Sequence, residues 1–537
     1  MRILGTVKNG IGGVRSKGQL MFLVTRDEIV KKLTLSPAKN SVANSKFDLL
    51  LFLVICLITL AAYYGLHSCY NIYYEDDSWT MSNAWNLVNL GVDHDLVFLD
   101  QENVFTGQLF GKVYFFLSGN VLNLIGWTKG NVFLINSALI FASAFVWFKI
   151  LQDLPDSCKM SKWLPLFLPI FPPCFFAAHT GRTDAFTLFL LSIGFLMFVR
   201  KYYVVAGILS MLAIESHIMG VVSLFYYLSY FIYSEKKHFT ARFSYKDFRA
   251  DNALPLTKSM LGFAVGIIIY MSLHYKVFDL EQLSNIVRSK SDMVSPVNNY
   301  ILAYFTDFDW YYHLPEMALF ITTIVLYLRN GLYRKNPLLL IMLVVLVFST
   351  FITRRENRNY FIYLVPAVMM FYFYTYRAIG QLRPFMVVLT LICMSYYSAL
   401  YVAHKDFKFS DFVSFIDNNA SDKEIPIIGM PDVWFAAMER DFYPIHTERD
   451  FNKIDFKEFY LVETDYLSIR SRVYDQVKSN IYTNYNCEKI SQWDAYSNNK
   501  STLCHCVRNG KSRVALVYDS YPGWQTVMAD FFPTSIF

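Results

Sequence analysis

Long apolar stretches, separated by short polar loops, dominate the chain between residues 48 and 403. The first of them, residues 49–65, contains no charged residue and is long enough to cross a bilayer as a helix. The pattern predicts a polytopic α-helical membrane protein with about eleven spans. The predicted spans are residues 48–66, 130–150, 163–179, 184–200, 202–215, 217–233, 259–275, 315–329, 337–353, 360–376 and 384–403.

Basic residues in the polar loops determine how these spans are oriented. The N-terminal tail, residues 1–46, contains nine Lys and Arg residues against two acidic residues. If this tail is cytoplasmic and residues 106–125 stay on the outer side, the most basic loops also face the cytoplasm, as the positive-inside rule requires. The reverse orientation would place those loops outside. We therefore predict a cytoplasmic N-terminus and an extracytoplasmic C-terminus.

The composition agrees with a membrane protein that carries some soluble mass. Hydrophobic residues make up 54% of the chain, charged residues make up 17%, and the mean hydropathy is +0.30. These values are too apolar for a soluble protein of this length. The net charge of +6 divides into +10 for residues 1–403 and −4 for residues 404–537. Because the basic residues gather in short loops, the charge pattern does not indicate a nucleic-acid partner.

After residue 403 the composition changes to that of a soluble domain. Strand-like runs alternate with helical stretches, which predicts a small extracytoplasmic α/β domain. The predicted strands are residues 426–429, 459–462 and 513–518, and the predicted helices are residues 411–418 and 466–479. We therefore divide the chain into a basic cytoplasmic tail (1–46), a transmembrane domain (47–403, with its first outer loop at 67–130) and the α/β domain (404–537).

Three of the eight cysteines lie close together in the predicted α/β domain. In an oxidising compartment Cys487 is expected to form a disulfide with either Cys504 or Cys506. The sequence leaves this pairing open.

An acidic cluster, formed by Glu75, Asp76 and Asp77, follows the first predicted span on its outer side. A base at the membrane boundary can reach a substrate whose head lies in water and whose tail lies in lipid. This position therefore indicates chemistry on lipid-linked material. A structural explanation exists as well, because aspartate is favoured at the start of a helix.

Two apolar segments of helical character follow the acidic cluster. Residues 78–90 have Trp79 and further apolar residues at helical spacing, which predicts a helix lying in the membrane interface. Residues 106–125, which include Lys112, are expected to form a second interfacial helix or a short span. Lys112 suits either a ligand for an anion or a side chain that extends to the interface without a further role.

Ionisable residues recur on the predicted outer face, near the ends of the spans. Such residues are costly at membrane depth, so they indicate a functional site. Carboxylates beside arginines suit a reaction that needs both a base and a clamp for a phosphate leaving group. The residues concerned are His179, Arg182, Asp184, Glu215, His217, His274, Arg354, Arg355, Glu356 and Arg358.

Each of these groups also has a structural explanation. Arg182 and Asp184 could pair with each other across a tight loop. The arginines of residues 354–358 could bind lipid headgroups. Glu215 and His217 fit a structural role better than a catalytic one.

Two short motifs and the predicted layout of the chain resemble those of the GT-C membrane glycosyltransferases. That family includes protein O-mannosyltransferases, the aminoarabinose transferase of lipid A and envelope arabinofuranosyltransferases. Asp76 and Ala84, eight positions apart and followed by Gly91, resemble the first outer loop of that family. The sequence from Gly181 to Asp184 resembles its outer Arg-x-Asp loop. The resemblance implies a GT-C-like transmembrane fold and transfer of a sugar from a polyprenyl-phosphate donor.

These patterns and the resemblance lead to a hypothesis of inverting in-line displacement. Asp76 is the expected general base, and Asp77 orients the acceptor or helps to hold a divalent cation such as Mg or Mn. No other cofactor is expected. The predicted donor phosphate ligands are Arg182, Arg354, Arg355, Arg358, His274 and Lys112. The predicted substrate-contacting residues are Glu75, Asp184, His179 and Trp79.

The expected partners are a polyprenyl-phosphate sugar, an acceptor in the cell envelope (O-antigen, other glycan, lipid or protein) and membrane lipids. The predicted location is a bacterial inner membrane, with the soluble domain in the periplasm. Two alternatives remain open from the sequence. One is a polymerase or ligase that uses a polyprenyl-diphosphate oligosaccharide, and the other is a transporter or flippase for a lipid-linked substrate.

Overall fold

A computed structural model describes residues 41–67, 75–91, 110–154, 163–239, 250–275, 310–353, 358–405, 408–429, 431–438, 440–444, 456–464, 479, 481–494 and 500–509. The chain divides into two units, Met1–Leu57 and Ile58–Phe537. Within the described residues, the first unit consists of the beginning of one long helix. The second unit contains all the other elements discussed below.

Helices make up most of the described chain, and we number them α1 to α16. They are α1 (Ser41–His67), α2 (Glu75–Trp85), α3 (Lys112–Ile125), α4 (Lys129–Asp153), α5 (Leu164–Ile170), α6 (Pro172–Ala178), α7 (Asp184–Val199), α8 (Tyr203–Ser216), α9 (Val222–Phe239), α10 (Ala250–Leu273), α11 (Trp310–Arg329), α12 (Leu332–Lys335), α13 (Pro337–Thr353), α14 (Val365–Ala378), α15 (Leu382–His404) and α16 (Phe409–Asn419). A π-helical turn (Asn86–Leu90) extends α2, and 3₁₀ helices cover Ile218–Val221, Arg358–Tyr363 and Pro431–Ala436.

Among the described residues, four helices are long and apolar enough to cross a membrane. They contain the segments Leu49–His67, Lys129–Asp153, Leu254–Leu273 and Leu382–Val402. Five shorter apolar helices accompany them. The sequence-predicted apolar segments therefore coincide with helices, whereas the number of eleven spans stays a prediction.

The span predicted at residues 163–179 is not one continuous helix, because it consists of two short helices, α5 and α6. Phe171 between them is extended, with φ −69° and ψ 131°. A residue that precedes proline is disfavoured in the helical region, and Pro172 and Pro173 follow directly. Proline is well accommodated in the first turn of a helix, so the chain restarts as α6 at this point.

The helix predicted at residues 78–90 is present as α2 and its π-helical extension. Its buried face, with Met81 and Ala84, packs against Tyr114 and Phe115 of α3. The two helices approach closely at Gly119, where a Cβ atom would lie 2.9 Å from the carbonyl oxygen of Ala84. A glycine at this point therefore permits the crossing of α2 and α3.

A five-stranded sheet follows α16. Its strands are β1 (Ile427–Gly429), β2 (Phe442–Pro444), β3 (Glu458–Thr464), β4 (Tyr485–Asp494) and β5 (Lys500–Arg508). The order is β2-β1-β3-β5-β4, in which β1 is parallel to both of its neighbours and the β3–β5 and β5–β4 pairs are antiparallel.

The sheet agrees with part of the sequence prediction. The strands predicted at 426–429 and 459–462 correspond to β1 and β3, and the helix predicted at 411–418 corresponds to α16. Strands β2, β4 and β5 were not predicted. The predicted strand at 513–518 lies outside the described residues, as does most of the predicted helix at 466–479.

Apolar side chains cover both faces of the sheet. On one face, Phe412 and Ile416 of α16 pack against Ile427, Val462 and Leu503. The other face buries a second cluster that includes the sheet residues Ile428, Phe459, Leu461, Cys504 and Cys506. Cys487 and Cys506 form a disulfide across β4 and β5, and Cys504 remains a buried thiol. This pairing is one of the two that the sequence allowed.

The C-terminal region also packs onto the acidic helix α2. Trp434 and Phe435, in the 3₁₀ helix Pro431–Ala436, belong to the same buried cluster as Met81 and Ala84. The segment that begins with the acidic cluster is thus enclosed between α3 and the sheet-bearing region.

Candidate functional site

The acidic cluster forms the first turn of α2, which begins at Glu75. A helix start is a favourable position for carboxylates because its N–H groups and its dipole present positive charge. The side chains of Glu75 and Asp76 lie outside the described residues. Asp77 is buried, with 1% of its surface exposed.

Both oxygens of the Asp77 carboxylate contact distant parts of the chain. Oδ1 accepts a short hydrogen bond from the backbone N–H of Gly181, and Oδ2 lies 3.1 Å from Nζ of Lys129. A buried carboxylate is costly unless it is paired and hydrogen-bonded. These two contacts meet that requirement and join α2 to α4 and to the loop before α7.

Gly181 allows that loop to approach α2. A Cβ atom at this position would lie 2.8 Å from Cα of Asp77 and 3.1 Å from its carbonyl oxygen. Because both neighbouring atoms belong to the backbone, a larger residue would push the loop away. The two segments that the sequence analysis singled out are therefore in direct contact.

Arg182 is held in a fixed orientation beside this contact. Its Nε donates to Oδ2 of Asp184 at 2.7 Å, and its guanidinium carbon lies 5.8 Å from the ring centre of Tyr360. Asp184 in turn accepts a 2.6 Å hydrogen bond from the hydroxyl of Tyr363. The pair expected within the loop is thus present, and two tyrosines from a distant segment hold it in place.

Asn136 and Tyr114 hold the backbone of the same loop. Nδ2 of Asn136 donates to the carbonyl oxygens of Thr180 and Arg182, at 2.5 Å and 3.1 Å. Its Oδ1 accepts from the hydroxyl of Tyr114 at 2.9 Å. Since Asn136 is fully buried, these bonds fix the direction in which Arg182 leaves the loop.

The predicted arginine cluster leads into the tyrosine-bearing segment. Arg354 and Arg355 lie outside the described residues, and Arg358 begins the 3₁₀ helix Arg358–Tyr363, with its side chain not described. The hydroxyl of Tyr226 donates to the carbonyl oxygen of Tyr363 at 2.9 Å and anchors this helix. The segment that follows the arginines is therefore next to Arg182.

A second polar cluster joins three helix ends. Oε1 of Glu215, at the end of α8, lies 3.2 Å from Nε2 of His274 and accepts from the N–H of Val113 at 3.3 Å. Nζ of Lys112 donates to the carbonyl oxygen of Leu273 at 2.8 Å. Glu215 and His274 are fully buried. His274 and Lys112, predicted as phosphate ligands, thus contact protein groups in this conformation.

His179 and Trp79 were predicted to contact substrate. His179 is fully buried; its Nδ1 lies 2.9 Å from the carbonyl oxygen of Phe175, and its ring stacks on that of Phe175. Trp79 is partly buried in α2, and its carbonyl oxygen accepts hydrogen bonds from Ser82 and Asn83. In this conformation His179 packs on Phe175 and supports the start of the loop that carries Arg182.

The described residues contain no group of three His, Cys, Asp or Glu side chains that could hold a metal ion. Asp77, the carboxylate considered for a divalent cation, has Lys129 as its positive partner. The hypothesis that Asp77 helps to hold a divalent cation stays a prediction.

Sequence patterns did not predict four residues of this site, which are Lys129, Asn136, Tyr360 and Tyr363. For Lys129 a signal was present, because it starts α4 directly after the N-cap Thr128. A lysine is unfavourable at the positive end of a helix dipole. Such a position indicates that the side chain has a negative partner elsewhere.

Comparison with known proteins identifies the fold. No family model and no curated protein matches the sequence. The structure is similar to ArnT from Cupriavidus metallidurans bound to undecaprenyl phosphate, with a TM-score of 0.56 and 10% identity over 87% of this chain and 98% of that chain. Apo ArnT from the same organism gives a TM-score of 0.54, 11% identity and the same coverage. The chain therefore shares the fold of ArnT, which agrees with the GT-C-like fold that the sequence resemblance implied.

Proposed function

We propose that this protein is a membrane glycosyltransferase that moves a single sugar from a polyprenyl-phosphate carrier to an acceptor in the cell envelope. The observation that carries the proposal is the contact between Asp77 and Gly181. It joins the acidic cluster to the loop with Arg182, so that carboxylates and a guanidinium belong to one site. The GT-C fold, which this chain shares with ArnT, supports the same conclusion.

The proposed reaction is an in-line displacement at the anomeric carbon. Asp76 accepts the proton of the acceptor hydroxyl, whose oxygen then forms the new glycosidic bond. The bond between the anomeric carbon and the phosphate oxygen breaks, and its electron pair leaves with the phosphate. The configuration at the anomeric carbon is inverted.

The residues around Asp76 have separate tasks in this mechanism. Asp77 is occupied by Gly181 and Lys129, so it orients the acidic end of α2, and Asp76 is the base. Arg182 stabilises the departing phosphate, together with arginines from residues 354–358. Charge-assisted contacts of this kind act most strongly where water is excluded.

The proposed location is a bacterial inner membrane, with the N-terminus in the cytoplasm and the sheet-bearing region in the periplasm. The basic N-terminal tail favours this orientation. The Cys487–Cys506 disulfide supports it too, because disulfides persist in oxidising compartments. The acceptor is then an O-antigen, another glycan, a lipid or a protein of the envelope.

A transfer assay on purified protein tests the proposal. The donors are undecaprenyl phosphates that carry a hexose or a pentose, the acceptor is an envelope extract, and released undecaprenyl phosphate is measured by mass spectrometry. Wild-type protein should consume at least one of these donors. Asp76→Asn should lower the rate by about 10²–10⁴, the contribution of a positioned base.

Asp153→Asn is the matched control for Asp76→Asn. Asp153 pairs with Arg200 at the other end of α4 and is partly exposed, so this variant should keep the wild-type rate. Consumption of a diphosphate-linked oligosaccharide in place of the monophosphate sugars would favour a polymerase or ligase. Undiminished transfer by Asp76→Asn would remove the assignment of the base.

A further inference from the structure

One face of α4 contacts both halves of the candidate site. Lys129, Phe133 and Asn136 are separated by four and three residues, a spacing that aligns side chains along one side of a helix. At one end of this row, Nζ of Lys129 lies 3.1 Å from Oδ2 of Asp77. At the other end, Asn136 donates to the carbonyl oxygen of Arg182. A single helix therefore spans from the acidic helix α2 to the arginine loop.

The ammonium of Lys129 is surrounded by protein groups. The residue is 4% exposed. Its Nζ lies 5.8 Å from the ring centre of Phe133 and 5.7 Å from that of Phe409, the first residue of α16. Cation–π contacts favour an ammonium at this position, and the low dielectric strengthens its attraction to Asp77.

From this arrangement, and resting on the proposed function, we infer that Lys129 is a positioning residue for sugar transfer. Its ammonium holds Asp77, and with it the acidic end of α2, at a fixed distance from Arg182. It acts through Asp77 and does not bind the donor phosphate. Phe409 contacts the same ammonium, so the C-terminal region contributes to the position of Lys129.

The test compares Lys129→Met, Lys129→Arg and the double variant Lys129→Met with Asp77→Asn. Each is assayed for transfer at saturating donor, for binding of undecaprenyl phosphate and for thermal stability. The control is Lys149→Met. Lys149 lies on the same helix, is partly buried and has Nζ 5.4 Å and 5.5 Å from the ring centres of Phe145 and Phe148.

Lys129→Met should lower turnover by about 100-fold, the effect of misplacing a reacting group by about 1 Å. Its affinity for undecaprenyl phosphate should stay within about 3-fold of wild type, because the lost contact is not to the ligand. Lys129→Arg keeps the charge and should lose at most about 10-fold in turnover. Lys149→Met should behave as wild type.

The double variant separates positioning from simple stability. Removing Lys129 alone takes its ammonium away from the buried carboxylate of Asp77 and should lower the melting temperature. Adding Asp77→Asn removes that charge while keeping an oxygen that can accept from Gly181. Stability should therefore recover. Turnover should stay low because the attraction between Lys129 and Asp77, which fixes α2, is missing.

Three results would overturn the inference. The first is weaker binding of undecaprenyl phosphate by Lys129→Met with normal turnover at saturation, which would make Lys129 a phosphate ligand. The second is a double variant that recovers both stability and turnover. The third is a Lys129→Met protein as active as wild type. Wild-type protein that consumes no donor would instead count against the proposed function.

Discussion

Two buried carboxylate contacts lie near the predicted outer ends of the helices, and they join different parts of the molecule. Lys129 and Asp77 are 3.1 Å apart and connect α4, which also holds the loop with Arg182, to the acidic helix α2. His274 and Glu215 are 3.2 Å apart and connect the ends of α10 and α8. Burial and distance are nearly equal in the two pairs. The chemical groups and their neighbours differ.

The second pair has a clear structural task at the start of α3. The backbone carbonyl oxygen of Glu215 accepts from the N–H of Gly111 at 2.6 Å, and its carboxylate accepts from the N–H of Val113. The first N–H groups of a helix have no partner within the helix, so a carboxylate from another helix satisfies them. A buried charge at the membrane boundary is therefore not sufficient to identify a catalytic residue.

Turnover per folded molecule distinguishes the two contacts. Among the substitutions that test this comparison, the largest effect is expected at Gly181. In Gly181→Ala the new Cβ atom would meet the backbone of Asp77 at 2.8 Å. The loop with Arg182 must then move away from α2, and turnover should fall by about 100-fold. The assay is the donor-consumption assay with undecaprenyl-phosphate sugars.

Gly65→Ala is the control for this substitution. A Cβ atom at Gly65 would lie 3.6 Å from the ring of Tyr401, an ordinary contact distance, so turnover should not change. A Gly181→Ala protein with normal turnover would show that the close approach of the loop to Asp77 is not needed.

A smaller effect is expected from the C-terminal aromatic contact with α2. Trp434→Ala removes a buried side chain that packs in the cluster of Met81 and Ala84. The acidic helix should become less well fixed, and turnover should fall by about 10-fold at full donor saturation.

Trp493→Ala provides the matched comparison, because Trp493 packs on Phe412 and Phe415 within the C-terminal region. Both substitutions should lower the melting temperature by a similar amount. If Trp493→Ala reduces turnover as much as Trp434→Ala, the effect reflects the stability of the C-terminal region and not its contact with α2.

The smallest effect on turnover is expected at the contact between Glu215 and His274. Glu215→Ala should destabilise the protein by about 1–3 kcal/mol, because the N–H of Val113 and the ring of His274 lose this acceptor. The protein that still folds should keep turnover and donor KM within about 3-fold of wild type. Yield of monodisperse protein and steady-state kinetics on that fraction give the two values.

His274→Gln addresses the phosphate-binding role that the sequence suggested for His274. A neutral amide can still contact Glu215, so folding should be less affected than in Glu215→Ala. A rise in donor KM by more than about 10-fold, with unchanged stability, would establish His274 as a phosphate ligand. Both contacts would then serve the reaction, and the difference between them would disappear.

The sequence could predict the helices and the pairing of Arg182 with Asp184, because both depend on local patterns. Apolar runs predict helices through their length, and residues two apart in a tight loop can reach each other. The division at Phe171 was also readable, since the two prolines that follow it restrict the preceding residue.

The remaining site residues depend on contacts between distant segments. Tyr363 reaches Asp184 across 179 positions of the chain, and Asn136 reaches Thr180 across 44. Neither residue is unusual in its own surroundings. Strand β4 was missed for a different reason: its sequence is mostly polar, so it lacks the apolar alternation that indicates a half-buried strand.

A structure determined in the presence of undecaprenyl phosphate tests the central claim most directly. We predict that a phosphate oxygen lies about 3 Å from the guanidinium of Arg182, within hydrogen-bond distance. We also predict that the side chain of Asp76 faces the same cavity and that at least one of Arg354, Arg355 and Arg358 contacts the phosphate. A phosphate bound at the opposite membrane face, or remote from both Arg182 and Asp76, would contradict the account.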